Sequence, residues 1–285
     1  METSPIPRKM IRRFVAGQTL EDAVRVCGEL AAAGYLSTLD HLGENVTTKA
    51  EAAASRDAML AALDGLMAAG LGSSVSVKLT QFGLDLSPEL CLELVGALAG
   101  RAISTGTRVE VDMESSGYTA ATLDIVQQLH ARHGSVRAVL QAYLFRTEKD
   151  ARRLSQAGIP VRLCKGAYDE AGGVAFHAKA DVDRNFLKVA CLLLDEGVDA
   201  AIATHDPRMI EGVLDYARVK EYGPERFEFQ MLYGVRRDLQ RMLADQGHRV
   251  RLYVPYGSAW YPYFMRRLAE RPANVLFIAR NLFRR

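Results

Sequence analysis

Seven apolar runs of this chain each carry one or more polar residues of catalytic type, and an eighth ends in them. The run VSVKL (75–79) contains Lys78, and VEVDM (109–113) contains Asp112 and leads to Glu114. AVLQAYL (138–144) holds Gln141, and VRLCKGA (161–167) holds Arg162 and Lys165, with Tyr168 just beyond. AAIATHD (200–206) ends in Thr204, His205 and Asp206, FEFQMLYG (227–234) carries Gln230, and RLYVPYG (251–257) carries Tyr253. YLSTLD (35–40) ends in Asp40 and runs on to Glu44. A buried polar group without a partner costs about 1–3 kcal/mol. A ring of them, one set per run, points to a polar ligand. The competing explanation is internal ion pairing, Lys78 with Asp112 for instance. Lys165 or Lys78 alone could also serve as the Schiff-base lysine of a barrel aldolase. After the last run, the aromatic stretch WYPYF precedes Arg266 and Arg267, with Glu270 one turn on. Two guanidinium forks there suit a carboxylate, because bidentate pairing fixes both position and charge.

Eight strand-like runs need elements between them, and the sequence provides those. Helical spacing recurs at 19–34, 51–70, 87–100, 185–197 and 258–272. The third begins with a Ser87 cap followed by Pro88 and is expected to end at Gly100. The runs recur about every 31 residues, the length of one strand, one crossover helix and two loops. Strict alternation means parallel strands with right-handed crossovers, and eight units favour an α/β fold closed as a (βα)8 TIM barrel. The expectation is one domain over 1–285, with 1–34 as an additional N-terminal helical arm. Function then gathers at the carboxyl ends of the strands, where the polar residues fall.

Composition narrows the classes. The chain has 285 residues, 49% apolar and 25% charged, ordinary for a globular protein. Its 36 basic and 34 acidic residues leave a net charge of +2, with no basic stripe for nucleic acid. Cys27, Cys91, Cys164 and Cys191 form no C-x-x-C pair and read as buried free thiols of a reduced, cytoplasmic protein. The N-terminal residues hold no apolar signal core, and no run reaches the roughly 20 residues of a membrane span. There is no Rossmann G-x-G-x-x-G, no P-loop and no G-x-S-x-G elbow. The histidines show no metal spacing; His130 and His133 read as one face of a surface helix.

Taken together, TLDHLGE, VSVKLTQFGLDL, VEVDMESS, VLQAYLFRTEKD, VRLCKGAYDE, ATHDP, FEFQMLYGV and YVPYGSAWYPYFMRRLAERP resemble the proline dehydrogenase family, in the family's order and across nearly the whole chain. The resemblance is to the monofunctional bacterial form. It implies a distorted barrel that binds FAD noncovalently without a Rossmann domain. Carried over, Gln141, Arg162, Lys165, Gly166, Ala167, Thr204, His205 and Gln230 hold the flavin, with Asp112, Met113, Cys164 and Arg267 also against it. Arg162 is placed near flavin N5. Lys78, Arg266 and Arg267 bind the proline carboxylate, and Tyr168, Leu232 and Tyr253 line the ring pocket. Asp112 steadies Lys78 and Tyr253, Glu44 closes the site by pairing with Arg266, and Glu270 orients the arginines.

The implied activity is oxidation of L-proline to pyrroline-5-carboxylate by hydride transfer, the first step of proline catabolism. Tyr253 is expected to crowd a ring hydroxyl, favouring proline over hydroxyproline. The implied partners are a quinone or oxygen as electron acceptor and a separate pyrroline-5-carboxylate dehydrogenase. The basic segment RKMIRRF (8–14) could touch an anionic membrane surface, although a helix packed on the barrel is the plainer expectation. Two departures stand out: Cys164 replaces an aliphatic residue, and Ser115 and Ser116 stand where relatives often carry another acid. A flavin-free Schiff-base aldolase using Lys165 or Lys78 is the alternative activity. A barrel that binds without turning over is a third reading.

Overall fold

The computed structural model describes residues 12–43 and 45–269, with side chains described through Met265. Glu44, Glu270, the side chains of Arg266 and Arg267, and residues 8–11 of the basic segment lie outside it.

Eight parallel strands close into a barrel in chain order. They are β1 (Leu36–His41), β2 (Ser74–Val77), β3 (Val109–Val111), β4 (Val136–Gln141), β5 (Val161–Cys164), β6 (Ala200–Ala203), β7 (Phe227–Leu232) and β8 (Arg249–Tyr256). Closure is made by β1 against β8, with Thr38 opposite Tyr253 and Asp40 opposite Pro255. The helices follow in alternation: α1 (Leu20–Ala32), α2 (Lys49–Ala68), α3 (Pro88–Ser104), α4 (Thr119–His133), α5 (Thr147–Gln156), α6 (Lys179–Glu196), α7 (Pro207–Val219), α8 (Arg237–Asp245) and α9 (Trp260–Ala269).

Local chemistry sets the helix starts. Thr48 and Glu51 form a reciprocal capping box on α2. The Ser87 hydroxyl accepts from Leu90 N at 3.2 Å, with Pro88 in the first turn. Asp206 caps α7 in the same way ahead of Pro207. α3 does not stop at Gly100 as expected but continues to Ser104. The reason is packing: Ala102 stays buried beyond it. Gly96 and Gly100 also let the helix lie close to Leu129 and His133 of α4. α6 begins earlier than expected, at Lys179, through a polar turn whose side chains the barrel rim uses. Cys27 and Cys91 are buried free thiols, whereas Cys164 and Cys191 are only partly buried.

Most strands also end sooner than their apolar runs. β2 stops at Val77, β3 at Val111, β5 at Cys164 and β6 at Ala203. Lys78, Asp112, Lys165, Thr204 and His205 therefore sit in the first residues of the loops. Those loops form the mouth of the barrel.

Candidate active site

The barrel interior is polar from bottom to top, in layers set by the two-residue alternation of each strand. At the amino-terminal end, Asp199 holds a left-handed backbone (φ 45°) just before β6. Its carboxylate takes Arg108 at 2.6 Å, Arg137 at 2.8 Å and Arg249 at 2.9 Å. Above it, Arg137 reaches Glu110 at 3.0 Å and Glu228 at 2.6 Å, and Arg251 reaches Glu228 at 2.8 Å. Glu110 also accepts from Gln230 at 3.1 Å. Burial alone would raise both glutamates, but the guanidiniums of Arg137 and its neighbours outweigh it and hold them low.

Arg162 links this core to the mouth. Its guanidinium pairs with Glu110 at 3.3 Å and makes a close ion pair with Asp112. It also donates to Gln230 and Ser76, both at 3.2 Å. Asp112 in turn accepts from the Tyr253 hydroxyl at 2.8 Å and from Ser76 at 2.8 Å. The Arg162 guanidinium lies 5.5 Å from the Tyr253 ring centre. Burial and the Asp112 charge push the Tyr253 phenol well up, so it donates to Asp112 as the neutral hydroxyl.

Lys78 does not pair with Asp112, as the sequence suggested. It stands 3.7 Å from Asp40. β2 borders both β1 and β3, but the Asp112 carboxylate is taken up by Arg162, Ser76 and Tyr253. Glu114 accepts from Thr80 N at 3.1 Å and Thr80 Oγ1 at 2.6 Å, while Gln141 donates to the Glu114 carbonyl at 2.8 Å. Met113 is buried beside them.

The rim is built on the loop after β5. Lys165 is held between Asp183 at 2.5 Å and Asp206 at 2.7 Å. Gly166 (φ 114°) has backbone freedom no other residue shares, and a Cβ there would fall 2.3 Å from the Tyr143 ring. The Tyr143 hydroxyl donates to Glu170 at 3.2 Å, and Glu170 also accepts from Ser116 N at 2.7 Å and from its hydroxyl. Ser116 therefore gives the loop an anchor that an acid at that position would repel. Ala167 and Tyr168 are exposed, Tyr168 at 41%. Thr204 Oγ1 accepts from Asp206 N at 3.1 Å, and His205 Nε2 accepts from Leu232 N at 2.8 Å, tying β6 to β7. Leu232 is partly buried. Cys164 donates weakly to the Leu140 carbonyl at 3.4 Å, and burial pushes its thiol up to about 11, an unreactive state.

Lys78, Asp112, Gln141, Arg162, Lys165, Thr204, His205, Gln230 and Tyr253 thus share the carboxyl end of one barrel. Sequence reasoning missed Glu110, Glu228, Arg137 and Arg251 below them, and Tyr143, Glu170 and Asp183 at the rim. The signal for Glu110, Glu228 and Arg251 was present. Each stands two residues before Asp112, Gln230 and Tyr253, and so on the same inward face.

Known proteins match this chain along nearly its full length. The family description "Proline dehydrogenase" covers residues 23–280. Proline dehydrogenase 1 of Bacillus subtilis (strain 168) is 39% identical over 274 residues, covering 96% of this chain and 91% of its own. Proline dehydrogenase of Deinococcus radiodurans is 36% identical over 280 residues, covering 96% and 90%. Among solved structures, proline utilization A (PutA) from Bdellovibrio bacteriovorus, inactivated by N-propargylglycine, superposes with a TM-score of 0.86 at 25% identity. The match covers 92% of this chain and 32% of that one, so this chain corresponds to about a third of the longer protein.

Proposed function

Because the chain belongs to the proline dehydrogenase family, we propose that it oxidises L-proline to (S)-1-pyrroline-5-carboxylate, using FAD bound noncovalently at the barrel mouth. One observation supports this above the others: the Arg162–Asp112–Tyr253 set at the carboxyl ends of β3, β5 and β8. It puts a fixed cation, a neutral donor and an aromatic wall around one point.

The residues fit the cofactor. Gln141, Arg162, Lys165, His205 and Gln230 are donors or cations suited to the carbonyl and nitrogen edge of an isoalloxazine. The close approach of Gly166 to Tyr143 leaves backbone where a side chain would intrude. The chemistry a bound FAD supplies is acceptance of a hydride at N5. In this reading Arg162 is the cation beside that atom, and Asp112 with Glu110 keeps its charge and position. In this reading Met113, Cys164, Ala167 and Thr204 also lie against the flavin.

Lys78, with Arg266 and Arg267 from α9, forms the clamp for the substrate carboxylate, since hydride transfer requires a rigid near-attack pose. Tyr168, Leu232 and Tyr253 wall the pyrrolidine ring. Glu44 gates the site through Arg266, and Glu270 supports the arginine pair. The substrate amine must lose its proton, so activity rises toward alkaline pH. The Schiff-base alternative has no support from the family.

The single barrel carries both sites. We place the enzyme in the cytoplasm, passing electrons to a quinone or to oxygen, with its product consumed by a pyrroline-5-carboxylate dehydrogenase. No helix among the described residues is long and apolar enough to cross a membrane. Any membrane contact in this reading is peripheral, through the basic segment at 8–14.

The test is turnover with a dye acceptor and chemical trapping of the cyclic imine. L-proline should give trapped product and hydroxyproline far less. Arg266→Met or Arg267→Met should lower kcat/KM roughly 10- to 200-fold. Absence of the imine would refute the activity, and losses below about threefold in both variants would refute the clamp.

A further inference from the structure

Asp40 is buried in the upper barrel with no hydrogen bond to accept. The residue is 1% exposed, and neither carboxylate oxygen receives a hydrogen bond from a described residue. Two residues before it on β1, the Thr38 hydroxyl meets Ser74 inside the barrel at 2.5 Å. Strand alternation therefore puts Asp40 on the same inner face, one layer nearer the mouth. The Tyr253 hydroxyl is committed to Asp112. The Lys78 ammonium stands 3.7 Å from Asp40 Oδ1, beyond hydrogen-bonding range. A buried carboxylate in this condition is costly, and a neutral amide of the same shape would cost less. Packing gives no reason to keep the charge.

Lys78 supplies one. It leaves the barrel wall at the end of β2, where a short 3-10 turn (Leu79–Phe82) begins, and only 13% of its side chain is exposed. We propose that Asp40 is a positioning residue for substrate binding: its charge holds the Lys78 ammonium over the mouth, at ion-pair range, for the substrate's carboxylate. This rests on the reading of Lys78 as part of the carboxylate clamp. A counter-charge at 3.7 Å narrows the positions that a long flexible side chain samples. In the occupied site Lys78 lies between two carboxylates, Asp40 below and the substrate's above, and its charge-assisted bonds to the latter are formed from a pre-set position.

The test is a double-mutant cycle on the FAD-loaded enzyme. The probe is tetrahydrofuran-2-carboxylate, which keeps proline's ring and carboxylate but has oxygen in place of the amine. Its binding is read from the flavin absorption bands. Asp40→Asn should weaken the probe about tenfold or more and raise KM for L-proline more than it lowers kcat. In a Lys78→Met background the same substitution should have little further effect. The melting temperature of Asp40→Asn should equal or exceed that of the wild type. An unchanged probe affinity, an equal loss in both backgrounds, or a variant that unfolds at clearly lower temperature would each overturn the proposal. A Lys78→Met enzyme that binds the probe as tightly as the wild type would instead refute the clamp reading beneath it.

Discussion

Glu110 and Asp40 are both buried acids facing the inside of one barrel, and their surroundings drive them in opposite directions. Glu110, in the lower half, has partners on five other strands: Thr38, Ser74, Arg137, Arg162 and Gln230. Burial would raise it, but three arginines hold it below the usual carboxylate range. Asp40, in the upper half, accepts no hydrogen bond, and burial pushes it up despite Lys78, with the Asp112 charge adding to the rise. Glu114, also at the mouth, is raised by burial against the pull of Thr80. The lower half is a closed charge network in which every oxygen of Glu110, Glu228 and Asp199 has a partner. The upper half leaves polar capacity open, as a surface that binds a ligand must. In barrel enzymes stability belongs to the amino-terminal end and chemistry to the other. Here that division is visible in the state of individual carboxyls.

Breaking the lower network should cost most. Arg137→Met removes a cation shared by Glu110, Glu228 and Asp199, and should destabilise the fold by about 3–5 kcal/mol in denaturant titration. Turnover of the protein that remains folded should change little. Gly166→Ala puts a Cβ against the Tyr143 ring in a backbone region that disfavours side chains. It should cost about 1–3 kcal/mol locally and appear as weaker FAD retention. Tyr253→Phe should show the reverse of Arg137→Met, with kcat/KM falling about tenfold and stability staying within about 1 kcal/mol.

The pH dependence of stability should differ in sign between the halves. Glu110, Glu228 and Asp199 are lowered in the fold, so their contribution is complete above the unfolded carboxylate value of about 4 and is lost as pH falls through their folded values. Asp40 is raised, so the folded state binds its proton first and stability rises as pH falls from above its folded value. Melting curves of Asp40→Asn should therefore lead the wild type most at alkaline pH, with the gap narrowing as pH falls. A constant gap would remove the assigned charge. Arg25→Ala, which breaks an exposed pair with Glu29, should leave the melting temperature essentially that of the wild type.

The barrel was legible because short β-branched runs and longer helical stretches alternate at a fixed interval. The strand ends were not. A parallel strand and the loop that follows it carry similar residues, so Lys78 and Lys165 looked like strand positions when both lie just outside. The ring of polar residues at the mouth could be read one strand at a time. The partners could not: β2 borders the strands of both Asp40 and Asp112, and Lys78 stands by Asp40 while Arg162, Ser76 and Tyr253 take up Asp112. The lower network was hidden for a different reason. Arg137 and Glu228 come from β4 and β7, which are not neighbours, and meet only across the closed barrel. Ser116 and Glu170 lie 54 residues apart and become one anchor through the loop that Tyr143 supports.

The most direct test of the assigned activity is the visible absorption spectrum of the purified protein under anaerobic conditions, before and after L-proline. A flavin spectrum that bleaches with L-proline, and much less with hydroxyproline, is the expected result. A flavin spectrum that L-proline leaves unchanged would contradict the substrate. A colourless protein that takes up no added FAD would contradict the cofactor site at the barrel mouth.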